Sequence, residues 1–250
     1  MSNTNAETFD CAASGGATRA AAILRLLLPQ RCELCVGRTR GALLCDACAE
    51  ALPRVGAACP VCALPSATDG ACGACLALAP PYACTVAAYA YAFPVDRLLQ
   101  RLKYGGRIAL AQWAGAALAA TVRATFASRT GRARPDRIVA LPLAAARQRD
   151  RGFNQAREIA VRVARGTGLP LAAPLARITA GPPQTALPWA ERRRNVRGAF
   201  AVRAPVRGAR IALVDDVMTT GATLAEASRA LLAAGAEQVE CWVVARTLPP

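Results

Sequence analysis

Eight of the 11 cysteines stand in four C-x-x-C pairs: Cys32/Cys35, Cys45/Cys48, Cys59/Cys62 and Cys72/Cys75. The first two pairs recur as the last two at a constant offset of 27 residues, and Pro53 and Pro80 keep that offset. One small unit, C-x2-C-x9-C-x2-C, is therefore duplicated. Each pair sets two thiolates on one side of a tetrahedral ion, which suits structural zinc. A stretch this rich in Gly, Pro and Cys has too little large apolar content for its own core. Metal binding would supply the folding free energy instead, on the order of 10 kcal/mol or more per site. Disulfides fit poorly with a cytoplasmic protein, and a redox pair needs one C-x-x-C rather than four in register. We expect two structural zinc ions in residues 30–80, each with four thiolates and no open position for catalysis. Sequential pairing follows from the repeat unit, and a cross-braced pairing also fits the spacing. Of the remaining cysteines, Cys84 and Cys241 lie in apolar strand-like runs and read as small buried hydrophobes, while Cys11 has no assignment.

With 250 residues the chain has room for one or two domains. Alanine inflates its apolar fraction, and no stretch reaches about 18 uninterrupted apolar residues, so no membrane insertion is expected. The N-terminus carries Glu7 and Asp10 before its first basic residue, Arg19, unlike a signal peptide. A cytoplasmic location is the expectation. There is no histidine, which excludes Ser-His-Asp and Cys-His catalysis, histidine relays and His-containing metal sites. The charge is concentrated. Residues 97–210 carry 23 basic and 4 acidic groups, whereas 1–96 carry 6 and 7, and 211–250 carry 2 and 5. That segment is where phosphates are expected to meet the protein.

Beyond residue 81 the pattern alternates. Residues 82–91 read as a strand, and Pro94 opens a helix with Val95, Leu98, Leu99 and Leu102 on one face, ending at Gly105-Gly106. A second helix is predicted over 108–127. Ile138 to Leu141 reads as a buried strand, followed by an arginine-rich loop and a helix from about Asn154 to Arg165. Residues 170–178 read as a strand and 179–188 as a mobile loop. Ile211 to Val214 is a fully apolar strand, followed by a helix over Ala222 to Ala234 with Gly235 at its end, and by a last strand over Val239 to Ala245. Strands alternating with helices predict an α/β fold, a parallel sheet with helices on both faces. The expected layout is an N-terminal extension over 1–29, a zinc module over 30–80 and an α/β domain over 82–250.

The chemistry concentrates in IALVDDVMTTGAT, residues 211–223. Asp215 and Asp216 stand at the carboxyl end of a buried strand, where open α/β sheets bind ligands. Thr219, Thr220, Gly221, Ala222 and Thr223 then turn into a helix. Small residues there let successive amides and the helix dipole converge on one phosphate. Two carboxylates beside that cradle suit the vicinal hydroxyls of a ribose, with Mg²⁺ bridging nearby. A ribose 5-phosphate group is the expected ligand. Neither a G-x4-G-K-[ST] loop nor a G-x-G-x-x-G fingerprint is present.

This segment resembles the PRPP-binding signature of type I phosphoribosyltransferases. Together with RLKYGGR at 101–107, RQRDRGFNQA at 147–156, the spaced pattern from Thr179 to Phe200 and the cysteine knuckles, the chain resembles the competence protein F (ComF) family over about residues 32–247. The resemblance implies a phosphoribosyltransferase-like domain preceded by a double zinc ribbon. It implies that Asp215 and Asp216, as catalytic residues, contact the ribose hydroxyls and that Thr219, Thr220, Gly221, Ala222 and Thr223 hold the 5-phosphate of PRPP with Mg. The loop after the Ile138 strand sits where such enzymes bind pyrophosphate. Arg147, Arg149 and Arg151 would supply bidentate contacts there and Gly152 close backbone approach. Read without the family, the same loop suits a nucleic-acid contact or a solvated turn. Lys103 reads either as an ordinary cation at a helix C-terminus or as another pyrophosphate contact. The loop 179–188 resembles a hood that excludes water. Two functions follow. In one, a PRPP-binding protein serves DNA uptake and transformation, with single-stranded DNA and uptake proteins as partners. In the other, an active phosphoribosyltransferase serves base salvage without a nucleic-acid role. Tyr104 and Phe153 are the expected base-stacking aromatics, whereas Tyr82, Tyr89, Tyr91 and Phe93 read as core. The sequence identifies no acceptor base.

Overall fold

In the computed structural model, residues 30–39, 41–128, 133–178 and 196–248 are described. The chain divides into two compact units, Met1–Glu50 and Ala51–Pro250. Among its described residues the smaller holds an antiparallel pair, β1 (Gln30–Arg31) and β2 (Arg38–Thr39), and the short helix α1 (Asp46–Glu50). Its tight turn passes through Val36 at φ 63°, and the amide of Cys32 donates to the Gly37 carbonyl at 2.8 Å.

The larger unit opens with a second cysteine ribbon that contains the short helix α2 (Gly73–Ala77). A parallel five-stranded sheet follows. Its strands in chain order are β3 (Cys84–Ala90), β4 (Arg137–Ala140), β5 (Leu171–Ala172), β8 (Arg210–Met218) and β9 (Gln238–Arg246). Their spatial order is β3-β9-β8-β4-β5. Strands buried on both faces read as apolar runs, as Ile211–Val214 of β8 and Cys241–Ala245 of β9 do. Ile211, Leu213, Val239, Cys241 and Val243 face one side and share a core with Leu224, Ala227 and Leu231 of α7 (Ala222–Ala233). The alternate residue Trp242 meets Phe126 of α4 (Ala109–Ser128) edge to face at 5.7 Å. Two glycines let α4 approach α6 (Gln155–Thr167) closely: a Cβ on Gly115 would stand 2.6 Å from Cβ of Arg162, and one on Gly166 2.7 Å from that of Ala119.

The predicted helix after Pro94 is α3 (Val95–Tyr104), with Val95, Leu98, Leu99 and Leu102 buried and Gly105 capping it. Three expectations need correction. The arginine-rich segment is not a loop but a two-turn helix, α5 (Ala145–Arg151). Ala145, Ala146 and Gln148 favour helix there, and Gly152 ends it in the left-handed conformation at φ 76°. Residues 170–178 form two strands, because Pro174 breaks the run. β5 joins the main sheet, while β6 (Leu175–Arg177) turns away to pair antiparallel with β7 (Phe200–Val202), an element the local pattern did not reveal. Phe93, expected in the core, is 77% exposed, whereas Tyr82 and Tyr89 are buried as expected. The predicted hood over 179–188 lies outside the described residues, as does Cys11.

β3 ends the sheet, and an open edge strand invites stray pairing. The chain entering the second ribbon covers it. Arg54 bridges to Tyr89, and the carbonyls of Pro53 and Pro60 accept from the amides of Ala90 and Thr85 at 2.9 and 3.2 Å.

Candidate functional site

β4 pairs with β8 only as far as Val214, opposite Ala140. Beyond it β8 continues from Asp215 to Met218 against β9 alone, so the two carboxylates stand where the sheet opens on the β4 side. Asp216 is buried and Asp215 half-buried. Nζ of Lys103, in the last turn of α3, lies 2.7 Å from Oδ2 of Asp216. Lys103 thus reaches the site through a carboxylate rather than through the threonine loop. Burial lowers its pKa, but the Asp216 charge beside it outweighs this and holds the ammonium above the usual lysine value. Burial, reinforced by the Asp216 charge, pushes Asp215 well above the usual aspartate value despite Lys103. A carboxylate so reluctant to ionise gains most from a cation or from hydroxyl donors placed against it. The pair therefore fits a metal-bridged ribose.

After Met218 the chain turns at Thr219-Thr220-Gly221 into α7. Gly221 has φ 77°, and a Cβ there would come within 2.7 Å of Met218 Cε and 3.1 Å of the Tyr82 hydroxyl. The positive φ calls for glycine, and a larger residue would also have to displace the ends of the Met218 and Tyr82 side chains. The Thr220 hydroxyl accepts from the Ala222 amide at 3.2 Å, bracing the turn. The leading amides of a 12-residue helix have no partner inside the helix and point at the loop.

Arginines approach from α5 and β6. Arg147 and Arg151, four residues apart, share one face of α5 and are half-buried, whereas Arg149 is exposed on the far side. Arg151 donates to Gln155 at 3.1 Å and stacks over Tyr104 at 5.1 Å, which draws α5 to the end of α3 beside Lys103. Arg177, absent from the predicted set, lies over the Phe200 ring at 5.6 Å. Burial and the like charge of Arg147 lower its pKa, while Asp215 raises it, so the three groups feel one another. Arg177 was not legible because the pairing of β6 with β7 places it, across 22 intervening residues. Asp215, Asp216 and residues 219–223 thus follow one another from the end of β8, Lys103 meets Asp216, Arg151 meets Tyr104 beside it, and Arg177 lies within electrostatic reach of both Arg147 and Asp215.

The cysteines form two groups, Cys32/Cys35/Cys45/Cys48 and Cys59/Cys62/Cys72/Cys75, with the sulfurs of each group within 4.8 Å of one another. Pairing is sequential, not cross-braced. Four sulfurs held about 2.3 Å from one ion stand about 3.8 Å apart. Sγ atoms of Cys35 and Cys45 lie 3.7 Å apart, as do those of Cys62 and Cys72. Burial raises the Cys32 and Cys59 thiols, but backbone amides donating to their sulfurs prevail and lower each to about 6. Cys62 and Cys75 are raised, by burial first, and Cys48 by hydrogen bonds with neighbouring thiols, so it is the sulfur spacing that suits both groups to structural zinc. Cys84 and Cys241 are buried in the sheet and belong to neither group.

The double zinc ribbon domain matches residues 23–76, and the phosphoribosyl transferase domain matches residues 144–248. DNA utilization protein YhgH of Salmonella typhimurium is 36% identical over 229 residues, covering 89% of this chain and 100% of that protein. Competence protein F of Haemophilus influenzae is 34% identical over 182 residues, covering 70% of this chain and 78% of that one. A solved purine phosphoribosyltransferase from Pyrococcus horikoshii aligns at 19% identity over 65% of this chain and 77% of its own, with a TM-score of 0.33. Identity of 36% along the whole of YhgH and of 34% to competence protein F, with a double zinc ribbon ahead of a phosphoribosyltransferase domain, shows that the chain belongs to the competence protein F family.

Proposed function

We propose that the larger unit binds PRPP with Mg²⁺ at the end of β8 and serves the handling of incoming DNA. The observation that carries the ligand reading is the continuity of Asp215, Asp216 and the glycine-pinched threonine turn on one strand-to-helix junction. The threonine turn and the leading amides of α7 receive the 5-phosphate. The two carboxylates orient the ribose hydroxyls. Arg147, Arg151 and Arg177 face the pyrophosphate, where guanidinium forks match phosphate oxygens. Mg²⁺, when bound, neutralises the pyrophosphate that departs if transfer occurs. Lys103 holds the Asp216 carboxylate in place through their 2.7 Å contact. No histidine is needed, because stabilising a leaving pyrophosphate is electrostatic rather than acid-base work.

The DNA reading is supported by the names of the relatives, by the basic segment 97–210 and by two exposed aromatics. Phe93 and Tyr104 are 77% and 69% exposed, and rings so placed can stack bases. Arg149 faces outward, as a phosphate-backbone contact requires. The deciding experiment combines Mg-PRPP binding, pyrophosphate release across a panel of free bases, and filter binding of single-stranded DNA at several salt concentrations. PRPP binding with salt-dependent DNA binding supports the reading. Base-dependent turnover without DNA binding would assign the protein to base salvage instead.

A further inference from the structure

Arg246 closes β9, is 3% exposed, and takes no part in the chemistry above. Its guanidinium donates to four backbone carbonyls and also interacts with the Cys62 side chain. Nε donates to the Cys62 carbonyl at 2.8 Å, and one terminal nitrogen donates to Met218 and Thr247 at 3.0 Å each and to Thr219. Cys62 is a ligand in the second cysteine cluster, while Met218 and Thr219 open the phosphate loop. One buried cation therefore holds both.

A second connection runs beside the first. The Thr85 amide and hydroxyl donate to the carbonyls of Pro60 and Val61 at 3.2 and 2.7 Å. Three successive carbonyls of the Cys59–Cys62 knuckle are thus bonded by the sheet. Thr85 Oγ1 also lies 3.9 Å from Met218 Sδ, and the Tyr82 hydroxyl abuts Gly221. The knuckle, Thr85, Tyr82 and Arg246 form one continuous support under the start of the loop.

The direction of dependence follows from the chemistry. An arginine does not deprotonate, and its planar fork fixes where its acceptors lie. Those acceptors must stay, because a buried cation stripped of them is strongly destabilising. The Cys62 carbonyl is held in place only while its knuckle is folded, and such knuckles fold around their metal. We propose that Arg246 is a positioning residue that makes the shape of the 218–223 loop depend on the metal-held fold of the second cysteine cluster. Loss of that metal then weakens anion binding at a site the metal does not touch. This rests on reading 219–223 as the phosphate loop.

The test uses the full chain and three variants: Arg246→Met, Arg246→Lys, and the double change Cys72→Ser with Cys75→Ser. Zinc content, amide hydrogen exchange and Mg-PRPP calorimetry are measured on each. Arg246→Met is expected to keep two zinc ions, speed exchange at 218–223 by about tenfold or more, and weaken Mg-PRPP to a similar degree. Arg246→Lys, which keeps the charge but not the fork, should fall between it and the parent. The double cysteine variant should lose one zinc and show the same faster exchange at 218–223. Unchanged protection of the loop in Arg246→Met or in the double cysteine variant overturns the proposal. So does faster exchange spread evenly over the whole sheet, which would mark a merely structural arginine. If the parent protein fails to bind Mg-PRPP, the ligand reading fails, but the exchange comparison still decides the dependence.

Discussion

Lys103 and Asp216 come from different elements, the end of α3 and the open end of β8, and meet as a largely buried ion pair. Removing one half of such a pair leaves the other charge buried without its partner. Lys103→Met should therefore cost about 3 kcal/mol in urea unfolding, and adding Asp216→Asn to it should recover part of that loss. The pH dependence has a definite sign. The folded pKa of Lys103 lies above its unfolded value, so its contribution is complete below the ordinary lysine value and is lost as pH rises through the raised one. Melts from neutral to alkaline pH should show that loss in the parent and not in Lys103→Met. A parent and variant with parallel alkaline limbs would contradict the assignment. Asp215, Asp216 and the threonines were legible because one strand-to-helix junction carries them all in 13 residues. The pairing of Lys103 with Asp216 was not, because it depends on how α3 docks against the sheet end, which no local spacing encodes. Phe93 was misread because an apolar residue three positions past a strand looks like core.

At the scale of elements, α5 separates three arginines that look equivalent in sequence. A helix puts Arg147 and Arg151 on one face and turns Arg149 away. Arg147→Ala should weaken Mg-PRPP by about tenfold or more. Arg149→Ala should instead reduce the salt slope of single-stranded DNA binding by up to about one phosphate. Calorimetry and filter binding on both variants distinguish them, and equal losses of PRPP affinity would show that the helix does not sort them. The turn before α7 is constrained as tightly. Gly221→Ala places a side chain at φ 77° against Met218 and Tyr82. It should cost about 1–2 kcal/mol in stability and weaken phosphate binding, since the loop must shift to admit it. An unchanged urea midpoint would contradict the tight contact. The parallel sheet and its helices were legible from periodicity and caps, as in the Pro94 to Gly105 helix. β6 and β7 were not, because short antiparallel pairs of distant segments leave little local trace.

At the scale of the molecule, the duplicated cysteine unit announced two metal sites, and sequential pairing follows once each unit folds on itself. Freshly purified, reduced protein should contain two zinc ions per chain, and metal analysis giving one or none would contradict this. The edge of β3 is covered by the chain that enters the second ribbon, so the ribbon's connection to the sheet is structural as well as chemical. Chelation should therefore raise hydrogen exchange along Cys84–Ala90 and not only within the cysteine units, a connection that spacing alone did not suggest. The central claim is that the end of β8 is a ribose 5-phosphate site. It is tested most directly by calorimetric titration of Mg-PRPP into the parent and into Asp215→Asn, from neutral pH downward. The account predicts one site per chain in the parent. Affinity should fall with acid through a midpoint above the ordinary aspartate value, because binding needs the Asp215 carboxylate ionised. It predicts little or no binding in the folded variant at any pH. A folded Asp215→Asn protein that binds Mg-PRPP as tightly as the parent, or a parent that does not bind it at all, would contradict the claim.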